Sequence, residues 1–359
     1  MPYKKRIADL RVMMKDKGLA GVYITSAENV FYMSGFTGFG DARLYITDSG
    51  AWIITDSRYT VQSAAECPDY TLISGNSDNI STLDTVLTKA DNARIGFENE
   101  KIAYRDYKAL RERFAFAEFE DLNGYFTEIR DIKDNAEIAL IEKACSIACT
   151  SFNEILSIVR PGVAEADVAA ELEYRMKKNG ASDRSFDTIV ASGVRSAMPH
   201  GVASDKKIEN GDVVTIDFGC IYKHYCSDMT RTFFVGKPDA RLEKIYNIVY
   251  KAQMAALASY KSGMTGAELD NISREIISAE GYGEYFGHGL GHGVGIEIHE
   301  GASINKRNNN VIKDNTVFSI EPGIYVEGLG GVRIEDLVVL QNGSLRILTG
   351  GSDKKMLVL

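Results

Sequence analysis

Three of the chain's five histidines, His288, His292 and His299, fall within twelve residues in the run FGHGLGHGVGIEIHE. Imidazole is the commonest protein ligand for a transition metal, so a glycine-laced run of this kind points to a metal or catalytic site rather than to core packing. Acidic residues in unusual places supply the company it needs. Asp217 and Asp228 flank a GCIYKHY turn inside VVTIDFGCIYKHYCSDMTRTFFVG, whose alternation predicts two adjacent strands. Glu321 ends the apolar run of TVFSIEPG, and Glu335 sits inside GGVRIEDLVVL. Carboxylates set into apolar strands are costly to bury unless something positive compensates them. One imidazole with four carboxylates is a ligand set for a pair of divalent ions. Oxygen ligands suit Mn²⁺, and imidazole extends the range to Co²⁺, Zn²⁺ or Fe²⁺.

Other chemistries fit the same residues less well. HGLGH spaces two histidines like a zinc-peptidase helix, but no glutamate follows the first, and glycines at 287, 289, 291, 293 and 295 would each cost a helix ~1 kcal/mol. A phosphate loop needs a following Lys-Ser/Thr, and Ser-His-Asp hydrolysis a G-x-S-x-G; neither occurs. His200, in the Gly/Ser/Pro-rich stretch SGVRSAMPHGVAS, reads as a site residue or a solvated loop histidine. His224, in the IYKHY turn, reads as a surface residue. Arg333, two residues before Glu335, could hold a metal-bound carboxylate in place, while Tyr325 reads as either a site residue or strand filler.

The elements that must position these groups are legible in outline. Up to about residue 125, helical patterns over 4–17, 59–67, 81–90 and 101–114 alternate with apolar β-runs GVYIT, LYITD, AWIITD and RIGFE, the pattern of an α/β domain. The polar stretch TEIRDIKDNAE marks a boundary near 125–135. Beyond it Ile138, Ile141, Cys145, Ala148, Phe152 and Leu156 recur at three- and four-residue steps and predict a helix with one buried face. A weak internal repeat follows. RPGVAEADVAAELEYRMKKNGA, from Arg160, aligns with KSGMTGAELDNISREIISAEGY at an offset of 101 residues, placing Gly162 over Gly263 and Gly180 over Gly281. Two related α/β halves would form a cleft where they meet.

Composition bounds the function classes. With 45% hydrophobic and 25% charged residues over 359 positions, the chain can bury the cores of about two domains. A formal net charge of −9 argues against nucleic acid or an anionic membrane surface as partner. The first residues carry no signal-length apolar stretch, and no run approaches the ~20 apolar residues of a membrane span. Cys67, Cys145, Cys149, Cys220 and Cys226 form no paired framework, so a reducing cytoplasm is expected.

The ordered set Asp217, Asp228, His292, Glu321 and Glu335, with HGLGHGVGIEIHE, resembles the metallopeptidases of the pita-bread fold, which include methionine aminopeptidase, aminopeptidase P and prolidase. The histidine run is similar to the signature of their proline-specific branch, and NVFYMSGFTGFGDARLYIT with TDSRYTVQSA resembles the smaller creatinase-type domain that precedes it. The resemblance implies an α/β (α+β) chain, with a creatinase-like domain over 1–128 and a pseudo-two-fold pita-bread catalytic domain over 129–359. It implies two divalent metal ions per chain, Mn²⁺ foremost, with Asp228 and Glu335 bridging both, Asp217 completing one and His292 with Glu321 the other. Glu321 would shuttle a proton from the shared water to the leaving nitrogen, and His200, His288 and His299 would bind the proline side and stabilise the tetrahedral intermediate. The expected substrate is a short peptide with proline in second position, and the expected assembly a homodimer. Three rivals share the fold: a metal-free creatinase-like hydrolase, a non-catalytic peptide-binding module, and a methionine aminopeptidase. All five ligands stand against the first two, and the extra N-terminal domain with HGLGH against the third.

Overall fold

A computed structural model describes residues 2–75, 79–87 and 93–359. The chain forms two compact units, Met1–Glu128 and Ile129–Leu359.

The first unit is built on one mixed six-stranded sheet. Its strands are β1 (Gly21–Ile24), β2 (Ala42–Ile46), β3 (Ala51–Thr55), β4 (Thr71–Ser74), β5 (Ala93–Phe97) and β6 (Ala117–Asp121), in the order β4-β3-β2-β1-β5-β6. β1, β2 and β3 pair antiparallel, while β4, β5 and β6 join in parallel, each preceded by the helical crossover that a parallel neighbour requires. The helices are α1 (Tyr3–Lys17), α2 (Ala27–Ser34), α3 (Thr60–Glu66), α4 (Asn79–Thr82), α5 (Tyr104–Arg113) and α6 (Asn123–Asp131). The helix expected over 81–90 differs. Only a short turn of α4 precedes a 3₁₀ turn at Leu83–Thr85, and 88–90 lie outside the described residues. The first part of the polar boundary stretch, residues 127–131, is helical as the end of α6, to which Phe126 gives a buried apolar anchor; residues 132–134 are not helical.

In the second unit the two expected halves are visible. Helices α7 (Asn135–Ile155) and α8 (Glu165–Lys178) belong to the first, α9 (Ala240–Ser259) and α10 (Gly266–Ala279) to the second. Asp134 caps α7, accepting from the N–H groups of Ala136 and Glu137 while Glu137 accepts from Asp134 N at 2.9 Å. Ile138, Ile141, Cys145, Ala148 and Phe152 form its buried face, worth ~1.5–3 kcal/mol for each large side chain removed from water. The repeat extends to the backbone. Gly162 and Gly263, with φ of 89° and 88°, occupy the same left-handed turn ahead of α8 and α10. The first two N–H groups of α8 donate to the carbonyls of Lys206 and Ser204, and those of α10 to Asn310 and Asn308.

The strands of the second unit are β7 (Asp183–Arg184), β8 (Ile189–Ser192), β9 (Val213–Phe218), β10 (Cys220–Tyr222), β11 (Tyr225–Cys226) and β12 (Met229–Phe234) in the first half. In the second they are β13 (Gly291–His292), β14 (Ser303–Ile304), β15 (Val317–Ile320), β16 (Gly323–Val326), β17 (Gly330–Arg333), β18 (Asp336–Gln341) and β19 (Ser344–Ile347). β8, β9 and β12 make an antiparallel sheet over one apolar core, and β15, β18 and β19 another over a second. Where two strands were expected around the GCIYKHY turn, β9 and β12 pair as expected, and the turn itself folds into a smaller hairpin, β10–β11. Glu335 is not inside a strand. It lies in the break between β17 and β18, where the chain leaves its partner β16 for a new partner, β15. Glu335 N donates instead to Thr230 O at 3.2 Å, so no backbone donor is lost at the switch. The halves meet here, as Thr232 Oγ1 donates to Arg333 O at 2.7 Å. Among the described residues no helix is long and apolar enough to cross a membrane.

Candidate metal centre

A cavity of about 710 Å³ in the second unit is lined by Asp217, Asp228, His292, Glu321 and Glu335, together with His200, His288 and His299. Each arrives from a different element. Asp217 lies on β9 opposite Thr230, Asp228 immediately before β12, His292 on β13, Glu321 just past β15 and Glu335 at the β17–β18 break. Close approach of backbones makes this possible. A Cβ at Gly291 would stand 1.9 Å from Ser319 O, so only glycine lets β13 lie against β15 and bring His292 to Glu321.

Asp228, His292 and Glu335 offer ligand atoms all within 4.8 Å of one another. His292 Nε2 stands 3.4 Å from both Asp228 Oδ2 and Glu321 Oε1. These contacts would be ion pairs only with a protonated ring, yet burial lowers the pKa of His292 and favours the neutral imidazole. Its Nδ1 faces Gly293 O at 3.2 Å and must carry the hydrogen, because a carbonyl can only accept. Nε2 therefore points a lone pair at two carboxylate oxygens. Acceptors facing acceptors in a buried site are repulsive unless a cation lies between them. Two further atoms sharpen the point: Asp217 Oδ1 and Glu335 Oε1 are buried with no hydrogen-bond partner, a cost of ~1–3 kcal/mol or more for each group. The carboxylates respond as crowded anions do. Burial, then the charge of Glu335 and Asp217, pushes Asp228 well above the usual carboxylate range; burial, then Glu321 and Asp217, does the same to Glu335. Glu321 is also raised, first by burial. The donor set fits hard-to-borderline divalent ions.

Neighbouring side chains orient these groups. Arg333 Nη2 donates to Asp217 Oδ2 at 2.6 Å, as its place near Glu335 suggested, and Arg333 Nε donates to Thr230 Oγ1 at 3.0 Å. Thr230 Oγ1 in turn donates to Glu335 Oε2 at 2.7 Å, and Ser319 Oγ to Glu321 Oε1 at 3.0 Å. Tyr325 is no strand filler. Its hydroxyl accepts from Arg333 Nη1 at 2.8 Å and donates to His288 Nε2 at 3.0 Å, since His288 Nδ1 carries its hydrogen toward Gly289 O at 2.8 Å. Burial raises the Tyr325 hydroxyl to about 12 and lowers His288, so both stay neutral. His299 packs edge-on against His292, ring centroids 4.0 Å apart. His200 and His299 are exposed at the cavity rim; His224 stands away from it, in a left-handed turn at φ 72°.

Sequence reasoning left one group unexplained. Glu300, which follows His299, is held by Arg130 and by Lys133 Nζ at 3.1 Å, closing the loop that carries His299. The only signal was two basic residues in an otherwise acidic boundary stretch, some 170 residues away in the chain.

The sequence model of metallopeptidase family M24 matches residues 139–342, and that of the creatinase/prolidase N-terminal domain matches residues 6–132. The chain belongs to metallopeptidase family M24. This M24 chain is 41% identical over 350 residues to the Xaa-Pro dipeptidase of Pyrococcus furiosus, covering 96% of itself and 97% of that protein. A structure of an Xaa-Pro dipeptidase from Bacillus anthracis superposes with a TM-score of 0.94 at 41% identity, covering 99% and 100% of the two chains. That of an X-Pro aminopeptidase from Thermotoga maritima superposes at 0.91 with 40% identity, covering 98% and 99%. The M24 assignment makes divalent-metal peptidase chemistry the family's property, and the pita-bread and creatinase-type architecture follows.

Proposed function

We propose that this chain is an Xaa-Pro dipeptidase holding two divalent ions, Mn²⁺ foremost with Co²⁺, Zn²⁺ and Fe²⁺ as alternatives, on Asp217, Asp228, His292, Glu321 and Glu335. One observation carries the reading: a neutral imidazole and four carboxylates converge on one cavity with unpaired acceptors turned toward each other. The identity to Xaa-Pro dipeptidases over nearly the whole chain supports the substrate. Bound there, divalent ions lower the pKa of a water and polarise a carbonyl.

The chain's own residues account for the rest. Glu321, whose pKa burial raises, takes a proton at its carboxylate and passes it to the leaving nitrogen. Arg333 holds Asp217 in place through its Nη2 hydrogen bond. His200, His288 and His299 bind the proline side; both ring nitrogens of neutral His288 are held by Gly289 and Tyr325, so stabilising charge on the carbonyl oxygen falls to His200 and His299. The nitrogen of an Xaa-Pro bond has no hydrogen to donate, so recognition rests on shape. Phe186, Ile189, Pro199 and Ile298 supply apolar surface in the cavity wall. All five cysteines are buried and free, which supports a reducing cytoplasm, and the homodimer belongs to the same reading.

Hydrolysis of Ala-Pro, Ala-Ala, Ala-Pro-Ala and Met-Ala-Ser under one Mn²⁺ condition tests it. Ala-Pro should be favoured over Ala-Ala by ~10–200-fold or more, the discrimination that pocket contacts of this kind provide. Equal rates on the two, or preference for Met-Ala-Ser, would remove the chain from the proline-specific branch. Preference for Ala-Pro-Ala would make it an Xaa-Pro aminopeptidase, as the T. maritima relative is named.

A further inference from the structure

Two histidines of the cavity, His200 and His288, sit on irregular segments with no strand to fix them, and each segment is tied down by a fully buried carboxylate from one of the two repeated helices. In the first half the carboxylate is Glu165, the first residue of α8, at 0% exposure. Its Oε1 accepts from Ser192 N at 2.7 Å and Ser192 Oγ at 2.8 Å. Its Oε2 accepts from Ser204 Oγ at 2.7 Å, Ser204 N at 3.2 Å and the Arg195 guanidinium, which also donates to Val202 O at 2.9 Å. Ser192 and Ser204 are the two ends of the loop that carries His200. One carboxylate therefore closes that loop like a staple.

The second half does the same with different atoms. Asp270, one turn into α10 and also at 0% exposure, accepts from Leu290 N at 3.0 Å and from Arg274 at 2.8 and 2.9 Å. Arg274 spans the segment from the other side, donating to Phe286 O at 3.0 Å and His288 O at 2.8 Å with its guanidinium 4.2 Å above the Phe286 ring. Neither carboxylate lines the cavity. The 101-residue offset places Gly266 at the position of Glu165 and Ala169 at that of Asp270, so the two halves reach one arrangement from different helical positions.

We propose that Glu165 and the Asp270–Arg274 pair are positioning residues, acting on catalysis through His200 and His288 respectively. A buried charge saturated by hydrogen bonds from both ends of a loop restricts it far more than neutral turn contacts do, and misplacement of a catalytic group by about 1 Å costs ~10²-fold in rate. The proposal rests on the peptidase reading in taking those histidines as groups that touch the substrate.

The test is a pair of double-mutant cycles on the metal-loaded protein, with Ala-Pro as substrate and bound metal measured for every variant. Glu165→Gln keeps the shape but replaces one acceptor oxygen by a donor; it should lower kcat by ~10–100-fold with metal content unchanged. In a His200→Ala background the same substitution should cost less than about twofold, because the group it positions is gone. Arg274→Lys, which keeps the ion pair and loses the fork, should behave likewise against His288→Ala. Should Glu165→Gln fail to fold, Ser204→Ala removes one tether and serves in the same cycle. Losses that multiply independently in both backgrounds, or that track loss of metal, overturn the proposal. A wild-type chain that does not turn over Ala-Pro would instead overturn the substrate reading, and the cycles are then run on whichever peptide is hydrolysed.

Discussion

Glu335 and Asp336 are consecutive, each 1% exposed, and their surroundings are opposite. Asp336 faces away from the cavity into a set of donors: Arg231 Nη2 at 2.9 Å, Gln253 Nε2 and Thr349 Oγ1 at 2.8 Å, and the Lys354 ammonium. Burial pushes its pKa up, but Arg231 and Lys354 outweigh burial and hold it below the usual range. Glu335 has Thr230 Oγ1, an orphan Oε1, and other carboxylates for neighbours. Glu98 in the first unit resembles Asp336: it is fully buried, and Ser26, Asn29 and Thr25 all donate to it. A buried acid with its acceptors filled by the fold is a structural device. One left facing other acids has its counter-charge outside the chain.

The contrast can be broken first at Glu335. Glu335→Gln should abolish turnover with loss of bound metal, read by kinetics and elemental analysis; retention of both would place Glu335 with the structural acids. His299→Ala probes a group at the same cavity that holds no ion in this account. It should keep the metal yet lower kcat by ~10²–10⁴-fold, and an emptied site would mean that the histidines are misassigned. Asp336→Asn should act on the fold instead. It leaves Arg231 and Lys354 short of a buried counter-charge, a loss of ~3–5 kcal/mol measurable by denaturant unfolding, whereas Glu335→Gln should stabilise the metal-free chain. The same sign for both substitutions would dissolve the contrast.

The smallest effect is the pH slope. In the metal-free chain Asp228 and Glu335 are raised, so the folded state binds more protons than the unfolded one, and stability falls as pH rises from the unfolded carboxylate value of ~4.3 toward the raised folded values. Asp336 works the other way, its contribution being present above ~3.9 and lost as pH falls through its depressed value. Saturating divalent metal should flatten the first slope, because ions replace protons at the carboxylates. Unfolding midpoints from about pH 5 to about pH 8, with and without Mn²⁺, read it directly; metal-free stability that climbs across that window would contradict the account.

Much of this was legible before any coordinates. Asp217, Asp228, Glu321 and Glu335 announce themselves because an acid in an apolar β-run breaks a local rule, and the repeat because both copies need the same left-handed turn ahead of their helix. What escaped depends on partners distant in the chain. The break at Glu335 follows from a change of pairing partner, which alternation within GGVRIEDLVVL cannot register. Tyr325 stays open between site residue and strand filler in the sequence because its role exists only through Arg333 and His288, and Glu165 looks like an ordinary first-turn acid until Ser192 and Ser204 fold over it.

The central claim is that the cavity's carboxylates are completed by divalent ions on which turnover depends. Elemental analysis of the purified protein, paired with an Ala-Pro assay before and after exhaustive chelation, tests it most directly. Close to two divalent ions per chain are expected, with activity lost on their removal and restored by Mn²⁺ or a related ion; full activity in verified metal-free protein would overturn the metal-dependent reading.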